Sequence, residues 1–218
     1  MTLPDNHKTF RFEYVILFFI MALAFYITFI PHQSYLYPLH VDEWVHMAKA
    51  KAMLQAGSAS FLDPFLGQET VGLSANLEAA FHAFWGIFQQ ISGISWPTIF
   101  RYFPGVVFIT TVLSVYILAR REGYGWQAAF CACLIPTSIG ILGPAFLVPV
   151  ALAIAFIPLS VFIAYNFRSG WSYLVLFIFV SFLLALHAPT AIGLFIILTP
   201  YILLNLKGNF KHSLGISL

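Results

Sequence analysis

Charge is what this chain has least of. Its 218 residues include 10 Lys+Arg and 8 Asp+Glu, or 8%, against about 25% in soluble domains. A hydrophilic shell cannot be assembled from so few, which excludes a water-soluble globular domain. The net charge is only +2 and no five like charges follow one another, so nucleic acid is excluded as a partner. Cysteine is nearly absent: Cys131 and Cys133, close together in an apolar stretch, cannot supply a disulfide framework. Hydrophobic residues make up 61% of the chain and the mean hydropathy is +0.89. Lipid is the solvent such a composition calls for.

A bilayer takes about 20 mostly apolar residues per helix. Six stretches answer to that ruler: Tyr14–Ile30, Ile99–Ala119, Trp126–Ile141, Phe146–Ala164, Trp171–Leu186 and Ala191–Leu206, the third and fifth being short. Pro136, Pro149, Pro158 and Pro200 fall inside three of them, and neighbouring helices tolerate such prolines as bends. Lys8 and Arg11 precede the first stretch as they would a signal peptide, but its apolar run is long and no small-x-small site follows that run before Pro31, so it reads as an anchor. With the N-terminus inside, Lys8, Arg11, Arg120, Arg121, Arg168, Lys207 and Lys211 are cytoplasmic, 7 of 10 cations, leaving Lys49, Lys51 and Arg101 outside. The expectation is an all-α, multi-pass protein of the cell membrane with about six transmembrane helices. Residues 1–13 form its cytoplasmic N-terminal segment and residues 14–218 a single transmembrane module, in which residues 31–97 are a long external loop.

Five of the eight acids (Asp42, Glu43, Asp63, Glu69 and Glu78) lie in that loop with His32, His40, His46 and His82. Chemistry, if the chain performs any, belongs there. From His40 the loop runs through good helix formers to Gly57, placed as a C-cap. On that helix Asp42, His46, Lys49 and Met53 share one narrow stripe. Acids in a first helical turn are also ordinary partners of the helix dipole. A second amphipathic segment, Asn76–Gln90, sets Leu77, Phe81, Phe84 and Phe88 on one face and Glu78, His82, Trp85 and Gln89 on another, the pattern of an interfacial helix. Its aromatic stripe suits packing, while His82 and Trp85 are candidate ligand contacts. His40, Asp42, Glu43 and His46 offer four potential metal ligands within seven positions, but the zincin pattern H-E-x-x-H has Asp42 where its first His belongs. No metal site is assigned; Asp42 and Glu43 are carboxylates of the kind that suit a weakly held Mg²⁺ or Mn²⁺.

Asp42-Glu43-Trp44-Val45-His46, followed by Ala50, Met53-Leu54 and Gly57, resembles the first-loop signature of the GT-C superfamily of membrane glycosyltransferases. That superfamily includes the protein O-mannosyltransferases, the lipid A aminoarabinose transferases and, more remotely, the catalytic subunit of oligosaccharyltransferase. The order of parts is similar too, with a span, a loop bearing two interfacial helices, then Gly93-Ile94-Ser95, Phe100-Arg101-Tyr102-Phe103-Pro104 and a span ending at Arg120-Arg121. The likeness covers about Tyr14 to Arg121; beyond that it is one of hydropathy. It implies transfer of a sugar from a polyprenyl-phosphate-linked donor at the outer face of the membrane, with Asp42 as catalytic acid or base and Glu43 second. Complete members are longer, so the chain is expected to be an N-terminal portion, and the Trp-Trp-Asp-Tyr-Gly motif of oligosaccharyltransferase does not occur.

Such a reaction needs a base for the acceptor proton and preplaced donors for the departing phosphate. Lys49, His46, Arg101 and His187 are the external candidates for the second task, with membrane lipid as the surrounding partner. Arg101 at a span end can equally snorkel, and His187 before Ala188-Pro189 can be a wetted helix end. The alternative reading is a non-catalytic multi-pass protein, a degenerate relative or a lipid-binding carrier. A secondary transporter fits less well, because mid-span ionisable residues and internal repeats are not evident. Small residues around Cys131 and Cys133 mark the third stretch for close helix contact.

Overall fold

The computed structural model describes residues 7–70, 78–135 and 146–217. These residues form nine α-helices: α1 (His7–Phe29), α2 (Val41–Ala56), α3 (Ala79–Ser92), α4 (Trp96–Arg120), α5 (Gly125–Leu134), α6 (Pro149–Asn166), α7 (Gly170–Leu186), α8 (Ala188–Asn205) and α9 (Phe210–Ser217). No strand occurs among them; Leu62 and Glu69 form an isolated antiparallel bridge. The chain is therefore all-α over the described residues.

Local chemistry sets the helix ends. Gly57 closes α2 at φ 61° and Gly93 closes α3 at φ 67°, left-handed conformations that cost a glycine little. Ser95 caps α4 by accepting from the Thr98 N–H, and Ser169 caps α7 through a reciprocal pair with Ser172. Pro149 stands in the first turn of α6, where its missing N–H costs nothing. Pro104, Pro158 and Pro200 lie inside α4, α6 and α8.

Four helical segments are long and apolar enough to cross a membrane: Phe12–His32, Trp96–Arg120, Pro149–Asn166 and Ala188–Asn205. The third and fifth stretches correspond to shorter apolar helices, Gly125–Leu134 and Gly170–Leu186. The remainder of the third stretch, residues 136–141 with Pro136, lies outside the described residues.

α4 is the central helix, packed against α1, α5 and α6, while α2 and α3 pack on each other and α3 leans on α7. A smaller core of Leu17, Ile20, Ala24, Phe108, Val112 and Cys133 joins α1, α4 and α5. A larger one runs from Met47 and Phe81 through Phe100 to Leu183 and Leu194. Gly105 lets α1 approach α4: a Cβ there would sit 2.5 Å from the Phe25 ring.

Ring and hydrogen-bond contacts fix which helix ends lie together. Phe29 stacks on Tyr102 with ring centres 5.4 Å apart, so the end of α1 meets the start of α4. At the opposite end Tyr116 donates to Glu13 at 2.9 Å, and Arg120 lies 3.8 Å from the same carboxylate. Leu147, just before α6, donates to Glu43 of α2, and Phe182 near the end of α7 packs on Phe84 of α3. Helices α2 and α3 thus sit at one end of the apolar bundle. The end of α4, with Arg120, lies at the other.

Candidate functional site

The stripe that periodicity marks on α2 faces the start of α3. His46 Nδ1 lies 3.1 Å from His82 Nε2 and 3.6 Å from Glu78 Oε2. One ligand atom from each of His46, Glu78 and His82 falls within 4.8 Å of the others. Phe81 sets its ring edgewise to His46, with centres 5.1 Å apart, and fixes the imidazole plane. Both imidazoles are buried. Burial first, then the neighbouring Lys49 charge, pulls the His46 pKa down to about 4 against an opposing pull from Asp42. For His82, burial, His46 and Lys49 together bring it to about 3. Neutral imidazoles follow, so the His46–Glu78 approach is a polar contact and not an ion pair. The Glu78 carboxyl is raised, chiefly by burial and also by Asp42, with Lys49 opposing.

Lys49, one turn beyond His46, has its Nζ 3.5 Å from Asp63 Oδ2. Asp63 comes from the loop between α2 and α3. There its Oδ1 accepts from the Phe65 and Leu66 N–H groups at 2.8 and 3.0 Å. Burial would raise this carboxyl, but those two N–H groups and the Lys49 charge hold it below the ordinary carboxylate range. The loop is pinned by Thr70, whose N–H donates to the Phe61 carbonyl at 2.8 Å and whose hydroxyl accepts from the Phe61 N–H at 3.0 Å. Asp42 completes the group at the head of α2. Its side chain is 55% exposed, and its charge is felt at both His46 and Glu78.

Glu43, adjacent in sequence, is turned into the fold. Its exposure is 0%. Oε2 accepts from the N–H groups of Leu39 and His40 at 2.8 and 3.2 Å, and Oε1 accepts from Leu147 N–H at 2.8 Å. With His40 as N-cap this makes a capping box, extended to a chain segment about a hundred residues away. Burial raises the Glu43 carboxyl, and the three N–H groups and His40 work against it. With Glu43 so engaged, Asp42 and Glu43 do not converge as a pair on Mg²⁺ or Mn²⁺.

The other candidates lie elsewhere. Arg101 holds its guanidinium over Phe29 and Tyr102, at 5.6 and 5.3 Å from the ring centres. Its buried Nε has no hydrogen-bond partner among the described residues. His187 is the joint between α7 and α8, with Nδ1 2.7 Å from the Thr190 hydroxyl, and burial lowers its pKa. Trp85 is buried among Phe81, Phe84, Phe88 and Phe103, a packing position.

The structure therefore gathers His46, Lys49 and His82 from the sequence candidates, with Asp42 at the rim. It adds Glu78 and Asp63, which sequence reasoning did not select. Glu78 was visible as the residue one turn before His82 on the same face; Asp63 sits in a turn without periodicity and carried no such signal. Comparison of the chain with protein-family models, with curated proteins and with solved structures returns no match.

Proposed function

We propose that this chain is a membrane glycosyltransferase, or the N-terminal module of one, acting on a polyprenyl-phosphate-linked sugar at the outer face of the membrane. In this reading six helices cross the bilayer, α5 and α7 included, with the N-terminus cytoplasmic and α2 and α3 at the external interface. The observation that carries it is the arrangement at the head of α2. An exposed carboxylate, Asp42, stands beside a buried polar cluster containing an ammonium, Lys49, whose side chain is 27% exposed, and the cluster caps an apolar bundle.

The reaction divides between those two groups. Asp42 accepts the proton of the acceptor hydroxyl as its oxygen bonds to the anomeric carbon. The bond from that carbon to the phosphate oxygen breaks, and its electron pair leaves with the polyprenyl phosphate. Lys49 faces the charge that develops there, where a preplaced cation is worth more than in water. Glu43 holds α2 against Leu39, His40 and Leu147 so that Asp42 is presented outward; it is a positioning residue. Asp42→Asn keeps the shape and removes the base. The expected outcome is normal membrane insertion and unchanged thermal stability, with sugar transfer in isolated membranes reduced at least about 100-fold. Unchanged transfer by a normally inserted variant would remove Asp42 from the mechanism.

A further inference from the structure

We infer that His46, Glu78 and His82 form a binding site for a divalent transition metal of the zinc class, joining α2 to α3. The inference does not depend on the glycosyl-transfer reading. In a tetrahedral zinc site with bonds of about 2.0–2.1 Å, donor atoms lie about 3.3 Å from one another. The His46–His82 and His46–Glu78 separations are 3.1 and 3.6 Å, on either side of that value. The remaining pair is within 4.8 Å, and the Glu78 side chain is 32% exposed.

Charge favours a dication as well. The charged groups acting on these three ligands are Asp42, Lys49 and Asp63. With Glu78 as a carboxylate, three acids face one ammonium, a net charge of −2 that a divalent cation cancels. Two imidazole nitrogens and one carboxylate are a donor set suited to zinc and its neighbours, whereas Mg²⁺ and Ca²⁺ prefer oxygen alone. Facing nitrogens 3.1 Å apart in a neutral pair hydrogen-bond when one of them carries a proton. Moved to the far nitrogen of its own ring, that proton leaves both facing lone pairs to the metal, with no change in ring charge. Three protein ligands leave a fourth position for water or a substrate oxygen, as in catalytic zinc sites. Asp63 acts at one remove, by offsetting Lys49.

The test uses the full chain without a histidine tag, purified in detergent and stripped with chelator. Co²⁺ is added as a spectroscopic probe and Zn²⁺ as competitor, with Mg²⁺ in parallel. The expected result is one equivalent of Co²⁺ giving the visible bands of a four-coordinate site, displaced by Zn²⁺ and not by Mg²⁺. His46→Gln and His82→Gln each lower affinity at least about 100-fold, and Asp63→Asn about 10-fold. Should either buried histidine variant fail to fold, Glu78→Gln at the partly exposed ligand gives the same reading. No saturable binding by the folded wild type would overturn the inference. So would binding that Glu78→Gln and the folded histidine variants leave unchanged, since the metal would then sit elsewhere.

Discussion

Asp42 and Glu43 are neighbours with the same functional group, and their surroundings give them opposite work. Glu43 satisfies three backbone donors and has no contact with water, while Asp42 is more than half exposed. Glu43→Ala orphans those donors, and a buried donor left unpaired costs about 1–3 kcal/mol. A loss of about 3 kcal/mol or more is expected for the variant. For a chain of this length that lowers Tm by about 6–12 °C, measurable by thermal unfolding in detergent. Asp42→Asn should leave Tm unchanged. Equal stability of Glu43→Ala and wild type would show that Glu43 does not hold the segment before α6 to α2. Locally only the spacing from His40 separates the two acids, placing Glu43 and not Asp42 at the capping-box position. Both sit in the first turn of a helix, and the partner that settles the matter, Leu147, lies far along the chain.

Among the elements, α9 docks through Ile216 in the core, Ser213 on the Ile202 carbonyl and, most polar of the three, His212. His212 bridges two helices, with Nδ1 2.8 Å from the Tyr173 hydroxyl of α7 and Nε2 3.1 Å from the Tyr201 hydroxyl of α8, one ring nitrogen donating and the other accepting while the ring is neutral. Burial first, then the Arg168 charge, lowers its pKa, with a backbone hydrogen bond at Ala164 opposing. A histidine whose folded pKa is depressed contributes stability that is complete above its unfolded value of about 6.5 and is lost as pH falls below it. Tm should therefore fall on moving from about pH 8 to about pH 5, and His212→Gln, which keeps a donor and an acceptor, should fall by less. Equal falls in the two proteins would show that His212 does not couple α9 to pH. Helices of this kind differ in how much of them can be read beforehand. The extent of α2 was legible because its periodicity and the Gly57 stop are local, and the stripe of Asp42, His46 and Lys49 followed from 100° per residue. The pairing of that stripe with Glu78 and His82 was not, because it depends on how α2 crosses α3. Leu54 against Gly86 governs that crossing; a Cβ on Gly86 would lie 3.0 Å from the leucine Cγ. Asp63 was equally hidden, since a turn residue has no face until the loop closes.

For the whole molecule, hydropathy foresaw an apolar helical bundle because lipid exposure is averaged over twenty residues at a time and tolerates errors in any one. Four of the six expected stretches are helices of full crossing length, and two are apolar but shorter. The arrangement of ends adds what hydropathy could not. The cluster of Asp42, His46, Lys49, Asp63, Glu78 and His82 lies at the bundle end where α1 finishes and α4 begins, away from Glu13 and Arg120. An apolar body with a charged cluster at one end suits a ligand with an apolar tail and an ionic head, which a polyprenyl phosphate is. The most direct measurement is equilibrium binding of a polyprenyl phosphate to the purified chain in nanodiscs, with wild type compared with Lys49→Gln and with Arg101→Ala. Saturable binding that Lys49→Gln weakens at least about 10-fold, and that Arg101→Ala leaves within about twofold, is the predicted result. Absence of saturable binding by the folded wild type, or binding indifferent to Lys49, would contradict a lipid-phosphate site at the head of α2.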